Sequence, residues 1–150
     1  MHNSFRSSLA LGEELMVNGL RASPAKNMYQ MKYDCNLEQL AQSWANLCQF
    51  RHSPENLRNA GENLYALFFY MEELPMTALC SAMRMWWGEL YSNGISTNDT
   101  SLTWNAFNTG IGHFSQVNEV FSTTHNLMFR WRGVEPHELD AGINGAQNTT

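Results

Sequence analysis

Histidine, acidic and cysteine side chains offer this chain most of its possible chemistry. There are five histidines among its 150 residues. A neutral imidazole is a good ligand for a divalent transition metal such as Zn²⁺, and a carboxylate can fix the ring by accepting its other N–H. Two histidines alone would leave an open and weak metal site. Spacing does not bring such a set together, because the histidines and the candidate carboxylates lie in separate segments.

Ser115 could be interpreted as a nucleophile, because it lies two residues after His113. A serine nucleophile needs a base within hydrogen-bond reach and an oxyanion hole. Nothing in the local sequence supplies either of them. We therefore predict no catalytic residue in this chain.

The three cysteines, Cys35, Cys48 and Cys80, are an odd number, so at least one thiol has no partner within the chain. They are either free thiols that behave as small hydrophobic residues or part of an extracellular disulfide framework. Two N-x-T sequons, at Asn98 and Asn148, are compatible with glycosylation of a secreted protein. So short a motif often occurs by chance, and both interpretations stay open.

Composition limits the class of partner. A net charge of -5 argues against a nucleic-acid or anionic-membrane surface, since both need clustered Lys and Arg. The longest apolar run, around residues 66–71, is far shorter than the roughly 20 residues of a membrane span. The first residues show neither a basic n-region nor an apolar h-region, so no secretory signal is expected in this chain. Taken alone, this pattern indicates a cytoplasmic protein.

The hydrophobic pattern predicts helices separated by loops, with one strand candidate. A first helix is expected over about residues 3–18, and a second begins at Asn36 as its N-cap. A third helix begins after Pro75 and ends near Gly94. The aromatic segment 62–70 is ambiguous between strand and helix.

Five short motifs follow one another in a consistent order over residues 2–116. They are His2-Asn3 with Arg6, Arg51-His52-Ser53, Ala60-Gly61-Glu62-Asn63-Leu64-Tyr65, Trp86-Trp87-Gly88-Glu89 and Gly110-Ile111-Gly112-His113-Phe114-Ser115-Gln116. In this order they resemble the CAP superfamily, also called SCP/TAPS. The residues of these motifs look most like those of the nematode branch, which includes ancylostoma-secreted and venom-allergen-like proteins. Within the first motif, His2 and Arg6 are interpreted as residues for N-terminal packing and hydrogen bonding.

The resemblance implies an α+β fold, the CAP-type α-β-α sandwich, in which helices cover both faces of a three-stranded sheet. The match stops at Gln116, whereas the family continues into two further strands. We therefore expect an incomplete sandwich with the helices and the first strand, and with the later strands missing. Residues 1–116 would form a partial CAP domain and residues 117–150 a divergent, poorly ordered tail. The missing signal and the missing end suggest a truncated isoform or a gene-model artefact.

The resemblance also selects a site. His52, Glu62, Glu89 and His113 fall on the four positions that line the family's central cavity. His52 and His113 would be the metal ligands, and Zn²⁺ would bind weakly. Trp86 and Glu89 are three residues apart on the third predicted helix, so they share a face of it.

Function and compartment follow from the resemblance. The three cysteines fall where family cysteines fall, which favours secretion and a disulfide, although which two are joined stays open. The resemblance implies binding without catalysis, to a sterol or lipid or to a host protein. One alternative is a metal-dependent hydrolase that uses the His/Glu cavity, and another is a non-functional truncated isoform. No nucleic-acid partner and no transmembrane segment are expected.

Overall fold

The computed structural model of the protein describes residues 1–25, 27–58, 60–67, 75–95 and 103–118, and the backbone of residues 129–130. The chain divides into a first unit, Met1–Tyr33 with Met83–His125, and a second unit, Asp34–Ala82 with Asn126–Thr150. The described elements are α1 (His2–Ala10), α2 (Cys35–Ala45), α3 (Glu55–Arg58), β1 (Asn63–Leu64), α4 (Pro75–Asn93), α5 (Trp104–Asn108), α6 (Gly112–Asn118) and β2 (Phe129–Arg130).

Helix α1 ends at Ala10, well before the end near residue 18 that the sequence predicts. The reason is Gly12, which adopts φ +72° and whose N–H donates to the carbonyl of Leu9 at 2.9 Å. A left-handed residue of this kind ends many helices. A Cβ at position 12 would also lie 3.3 Å from Cδ of Pro24, so glycine suits this close approach. The predicted long first helix is therefore wrong, and the chain turns back after the first glycine.

An aromatic cluster forms the centre of the first unit. The buried ring of Trp87 stacks on Phe5, with centroids 5.1 Å apart, and meets Phe114 edge-on at 5.1 Å. Both geometries are favourable for aromatic pairs. Further buried apolar residues of this unit are Leu9, Met16, Ala22, Trp86, Leu90, Ile111 and Val117. This core fixes α1, α4 and α6 against one another, and α4 and α6 carry one of the candidate His/Glu pairs.

Arg6 ties α1 to two other segments of the first unit. Its Nε and Nη2 donate to the carbonyl of Tyr29 at 3.1 and 2.7 Å, and its Nη1 donates to the carbonyl of Val117 at 2.6 Å. Asn3 adds a two-way pair with the backbone of Met31. These contacts agree with the prediction that Arg6 serves packing and hydrogen bonding.

Helix α2 of the second unit begins at Cys35 because Asp34 is its N-cap. The Asp34 side chain accepts hydrogen bonds from the N–H groups of Asn36 and Leu37, at 2.8 and 3.2 Å. The predicted cap at Asn36 is therefore wrong. Both residue types cap helices well, but only a side chain placed before the first turn can reach these N–H groups.

Asp34→Ala is expected to lower the free energy of unfolding by about 1 kcal/mol, because two N–H groups of α2 lose their acceptor. Asp34→Asn keeps an oxygen acceptor at the same place and is the matched control. Urea unfolding followed by far-UV circular dichroism measures both. An unchanged stability of Asp34→Ala would show that the cap contributes nothing, and equal losses for the two variants would contradict a cap that depends only on the oxygen acceptor.

The described strands are short. Strand β1 pairs in parallel with β2, so that Asn63 lies opposite Phe129 and Leu64 opposite Arg130, and β2 also lies against α2. The described residues form mainly helices with little strand, which confirms the predicted incomplete α+β fold. Of the ambiguous segment 62–70, two residues form a strand and residues 68–70 lie outside the described part. The parallel strand β2 was not predicted by the sequence.

The remaining tail, residues 119–128 and 131–150, lies outside the described residues, so the expected poor order of this tail stays a prediction. In the part of the chain that the structure describes, no helix has the length and apolar character needed to cross a membrane.

Candidate functional site

His52 and Glu62 form a pair in the second unit. His52 precedes α3 and Glu62 directly precedes β1, and the distance from His52 Nδ1 to Glu62 Oε1 is 2.8 Å. The Glu62 side chain is 1% exposed, whereas the His52 side chain is 59% exposed. The pair therefore consists of a buried carboxylate and an imidazole that reaches solvent.

The carboxylate of Glu62 accepts two further hydrogen bonds, both from Ser53. Its Oε1 accepts from the Ser53 N–H and its Oε2 accepts from the Ser53 Oγ, each at 2.8 Å. Ser53 is itself buried, and Arg58 donates to its carbonyl and to the carbonyl of Ala60. A buried carboxylate needs such donors, because an unpaired charge would be costly there. Sequence reasoning missed Ser53, although it directly follows His52 in the Arg-His-Ser motif.

His113 and Glu89 form a second pair, in the first unit. The distance from His113 Nδ1 to Glu89 Oε1 is 2.6 Å, and Glu89 Oε2 accepts from the Phe114 N–H at 2.9 Å. Glu89 lies on α4, and the other two residues lie in the first turn of α6. The turn before α6 is fixed by Gly110, which has φ +89° and whose carbonyl accepts from the Asn93 side chain at 2.8 Å.

The face of the His113 ring is covered by Trp86. The two rings are nearly parallel, at 13°, with centroids 6.1 Å apart. Trp86 is 3% exposed, and the His113 and Glu89 side chains are 40% and 20% exposed. The prediction that Trp86 and Glu89 share a face of one helix is confirmed, because both contact the same imidazole.

The two pairs use the same local arrangement. In each, one glutamate accepts from Nδ1 of a histidine and from the backbone N–H of the residue that follows it. A carboxylate only accepts, so the neutral ring must carry its proton on Nδ1 and its lone pair on Nε2. That tautomer is the form in which histidines with a carboxylate partner ligate metals.

The structure thus brings together His52 with Glu62 and His113 with Glu89, each pair within its own unit. A single cavity lined by all four residues stays a prediction. Among the described residues, no group of three or more His, Cys, Asp or Glu side chains is arranged to hold a metal ion.

The other predicted site residues have these positions. Cys35 and Cys48 are exposed and Cys80 is half-buried, and all three are free thiols in the structure. The disulfide implied by the resemblance therefore stays a prediction. Both sequons, at Asn98 and Asn148, lie outside the described residues.

His2, in the first motif, is half-buried at the start of α1. Burial, then the positive N-terminus and Arg6, lower the pKa of His2 from 6.5 to about 4. The unfolded chain takes up its proton near pH 6.5 and the folded chain only near pH 4. The unfolded state therefore binds more protons within this window, and stability is lost as the pH falls through it.

We expect the wild type to lose more stability than His2→Gln when the pH is lowered from neutral to about 5, because glutamine does not titrate. Urea midpoints of both proteins at the two pH values measure the difference. Parallel losses would contradict the lowered pKa, since the remaining carboxyl groups are common to both chains.

Comparison with known proteins places these features in a family. Residues 1–123 match the model of the CAP family, described as the cysteine-rich secretory protein family. Ancylostoma secreted protein of Ancylostoma caninum is 35% identical over 130 residues, which cover 85% of this chain and 30% of that protein. Venom allergen 5 of Tityus serrulatus is 30% identical over 96 residues, 61% of this chain and 22% of that protein. The chain thus spans less than a third of these two relatives.

Two solved structures share the fold. The crystal structure of NaASP2 with Zn²⁺ superposes with a TM-score of 0.69 at 36% identity, and covers 78% of this chain and 61% of that one. The structure of BmVAL-1 superposes with a TM-score of 0.73 at 39% identity, and covers 77% and 58%. The family match, the sequence relatives and the shared fold agree with the resemblance seen in the motifs. This chain belongs to the CAP family of cysteine-rich secretory proteins.

Proposed function

We propose that this chain is part of a secreted CAP protein that acts by binding and not by catalysis, with His52 and His113 as ligands for weakly held Zn²⁺. The observation that carries the proposal is the use of both glutamates as hydrogen-bond acceptors for a histidine and the adjacent backbone. Each imidazole is thereby held in the tautomer whose Nε2 carries the lone pair, the form in which histidines ligate metals.

The side chains beside the two histidines that could act as a general base or a nucleophile are already engaged in hydrogen bonds. Glu62 is buried and accepts three hydrogen bonds, so its carboxylate is a poor general base for a substrate in solvent. The two serines beside the histidines are also engaged. Ser53 Oγ donates to Glu62, and Ser115 Oγ donates to the carbonyl of Gly112 at 2.9 Å. These contacts favour binding over acyl transfer, which needs an activated hydroxyl.

The donor set fits a zinc ion. Imidazole nitrogen is a common zinc ligand, and a carboxylate on the other ring nitrogen orients the ring and raises its basicity. His52 and His113 would hold the ion, and two protein ligands make a weak site. Bound Zn²⁺ supplies a Lewis-acid centre. The similar protein NaASP2 has been crystallised with Zn²⁺, which supports the proposal by likeness.

The compartment and partners rest on the family. A relative named Ancylostoma secreted protein and relatives named venom allergen favour secretion. We propose a sterol or lipid, or a host protein, as the partner class. In oxidising surroundings two of Cys35, Cys48 and Cys80 would join, since disulfides persist there. We further propose residues 1–116 as the CAP domain and residues 117–150 as a divergent tail.

Turnover measurements separate binding from the alternative of a metal-dependent hydrolase. With Zn²⁺ added, we expect no hydrolysis of model esters or peptides above that of a His52→Ala/His113→Ala variant, because Ser53 and Ser115 are not activated and the buried Glu62 is a poor general base. Hydrolysis by the wild type that a chelator abolishes, and that the double variant lacks, would favour the hydrolase and contradict our proposal.

A further inference from the structure

Trp86, on α4, stacks on the His113 ring. Its indole is 3% exposed and lies nearly parallel to the imidazole, at 13°, with a centroid separation of 6.1 Å. Aromatic pairs with centroids 4.5–7 Å apart attract each other beyond the effect of their buried area. The stacking is therefore close enough to influence the orientation of His113.

Trp86 and Glu89 restrain different motions of the ring. The 2.6 Å hydrogen bond to Glu89 fixes the position of Nδ1, but it allows the ring plane to turn about that bond. An indole packed on the face opposes this turn. Since Trp86 and Glu89 stand three residues apart on one rigid helix, they hold the edge and the face of the imidazole from a common support.

The other histidine is held differently. His52 has the same kind of bond to a glutamate, but its side chain is 59% exposed against 40% for His113. Among the described residues, no aromatic ring stacks on His52. A freer ring loses more conformational entropy when it binds a ligand, and this loss lowers affinity.

We infer that Trp86 is a positioning residue for His113, and that it makes His113 the more firmly oriented of the two proposed metal ligands. The stacking keeps Nε2 of His113 pointing in one direction before an ion arrives. The part of the inference that concerns metal affinity rests on the proposed function. The part that concerns the ring itself does not.

The experiment uses the full chain and two readouts. Relaxation of the imidazole ¹³C–¹H groups reports the mobility of each histidine ring, and titration calorimetry with Zn²⁺ reports affinity. Trp86→Leu removes the stacked ring, and Trp86→Phe restores an aromatic face. Leu90→Ala, which removes another buried side chain of α4, is the control for general loosening of the core. His52, in the second unit, is an internal control in every sample.

We expect Trp86→Leu to increase the mobility of the His113 ring, to leave that of the His52 ring unchanged and to weaken Zn²⁺ binding about 3- to 10-fold. Trp86→Phe should restore most of both readouts. Unchanged mobility of the His113 ring in Trp86→Leu, or an equal change in Leu90→Ala, would overturn the inference. If the wild type binds no Zn²⁺, the proposed metal function fails, and the mobility of the His113 ring still decides the role of Trp86.

Discussion

Glu62→Ala is expected to lower the free energy of unfolding by about 2–5 kcal/mol, one of the largest effects of a single polar substitution in this chain. The side chain is 1% exposed and accepts three hydrogen bonds, two of them from the buried residue Ser53. Alanine would leave the N–H and the hydroxyl of Ser53 without an acceptor and away from water. Each buried donor left in this way costs about 1–3 kcal/mol.

Glu89→Ala is the matched control. Glu89 also accepts from a histidine and from the following N–H, but its side chain is 20% exposed, so water can replace part of what it supplies. We expect about half the loss seen for Glu62→Ala. Urea unfolding with unchanged m-values measures both, since m reports the surface exposed on unfolding. A smaller loss for Glu62→Ala than for Glu89→Ala would contradict the burial argument.

Local sequence signals predicted that the helices exist better than they predicted the residues at which the helices begin and end. Pro75 and Gly94 correctly bracket α4, because proline suits the first turn and a left-handed glycine ends a helix. The end of α1 was missed because Gly12 and Gly19 both adopt left-handed backbone. The sequence alone does not tell which of the two glycines ends the helix. The start of α2 was missed because aspartate and asparagine are equally good caps.

The site was predictable only in part from the residues themselves. The Trp86 and Glu89 spacing shows that these side chains share a helix face, and the structure confirms it. The pairing of Glu89 with His113, 24 residues away, depends on how α4 packs against α6, and no local pattern encodes that packing. The resemblance to a family named all four residues as cavity positions, but it did not say which glutamate pairs with which histidine. Neither the local pattern nor the resemblance predicted the hydrogen bonds of Ser53 to Glu62, because these bonds depend on the path of the loop between the two residues.

The second large effect concerns metal binding. We expect His52→Ala/His113→Ala to weaken Zn²⁺ binding about tenfold or more, because it removes the imidazole nitrogens that the two glutamates orient. Each single substitution should weaken binding as well, since two protein ligands leave no nitrogen to spare. Glu89→Gln is the matched control. It keeps an oxygen that can accept from His113 Nδ1, and it should cost less than loss of the imidazole.

Isothermal titration of the full chain with Zn²⁺ tests most directly the claim that these His/Glu pairs serve binding. We expect weak but measurable Zn²⁺ binding by the wild type, and binding weaker by about tenfold or more in the His52→Ala/His113→Ala variant. Circular dichroism of both proteins shows that the variant has kept its helices. Identical zinc affinity in the wild type and the double variant would contradict the account.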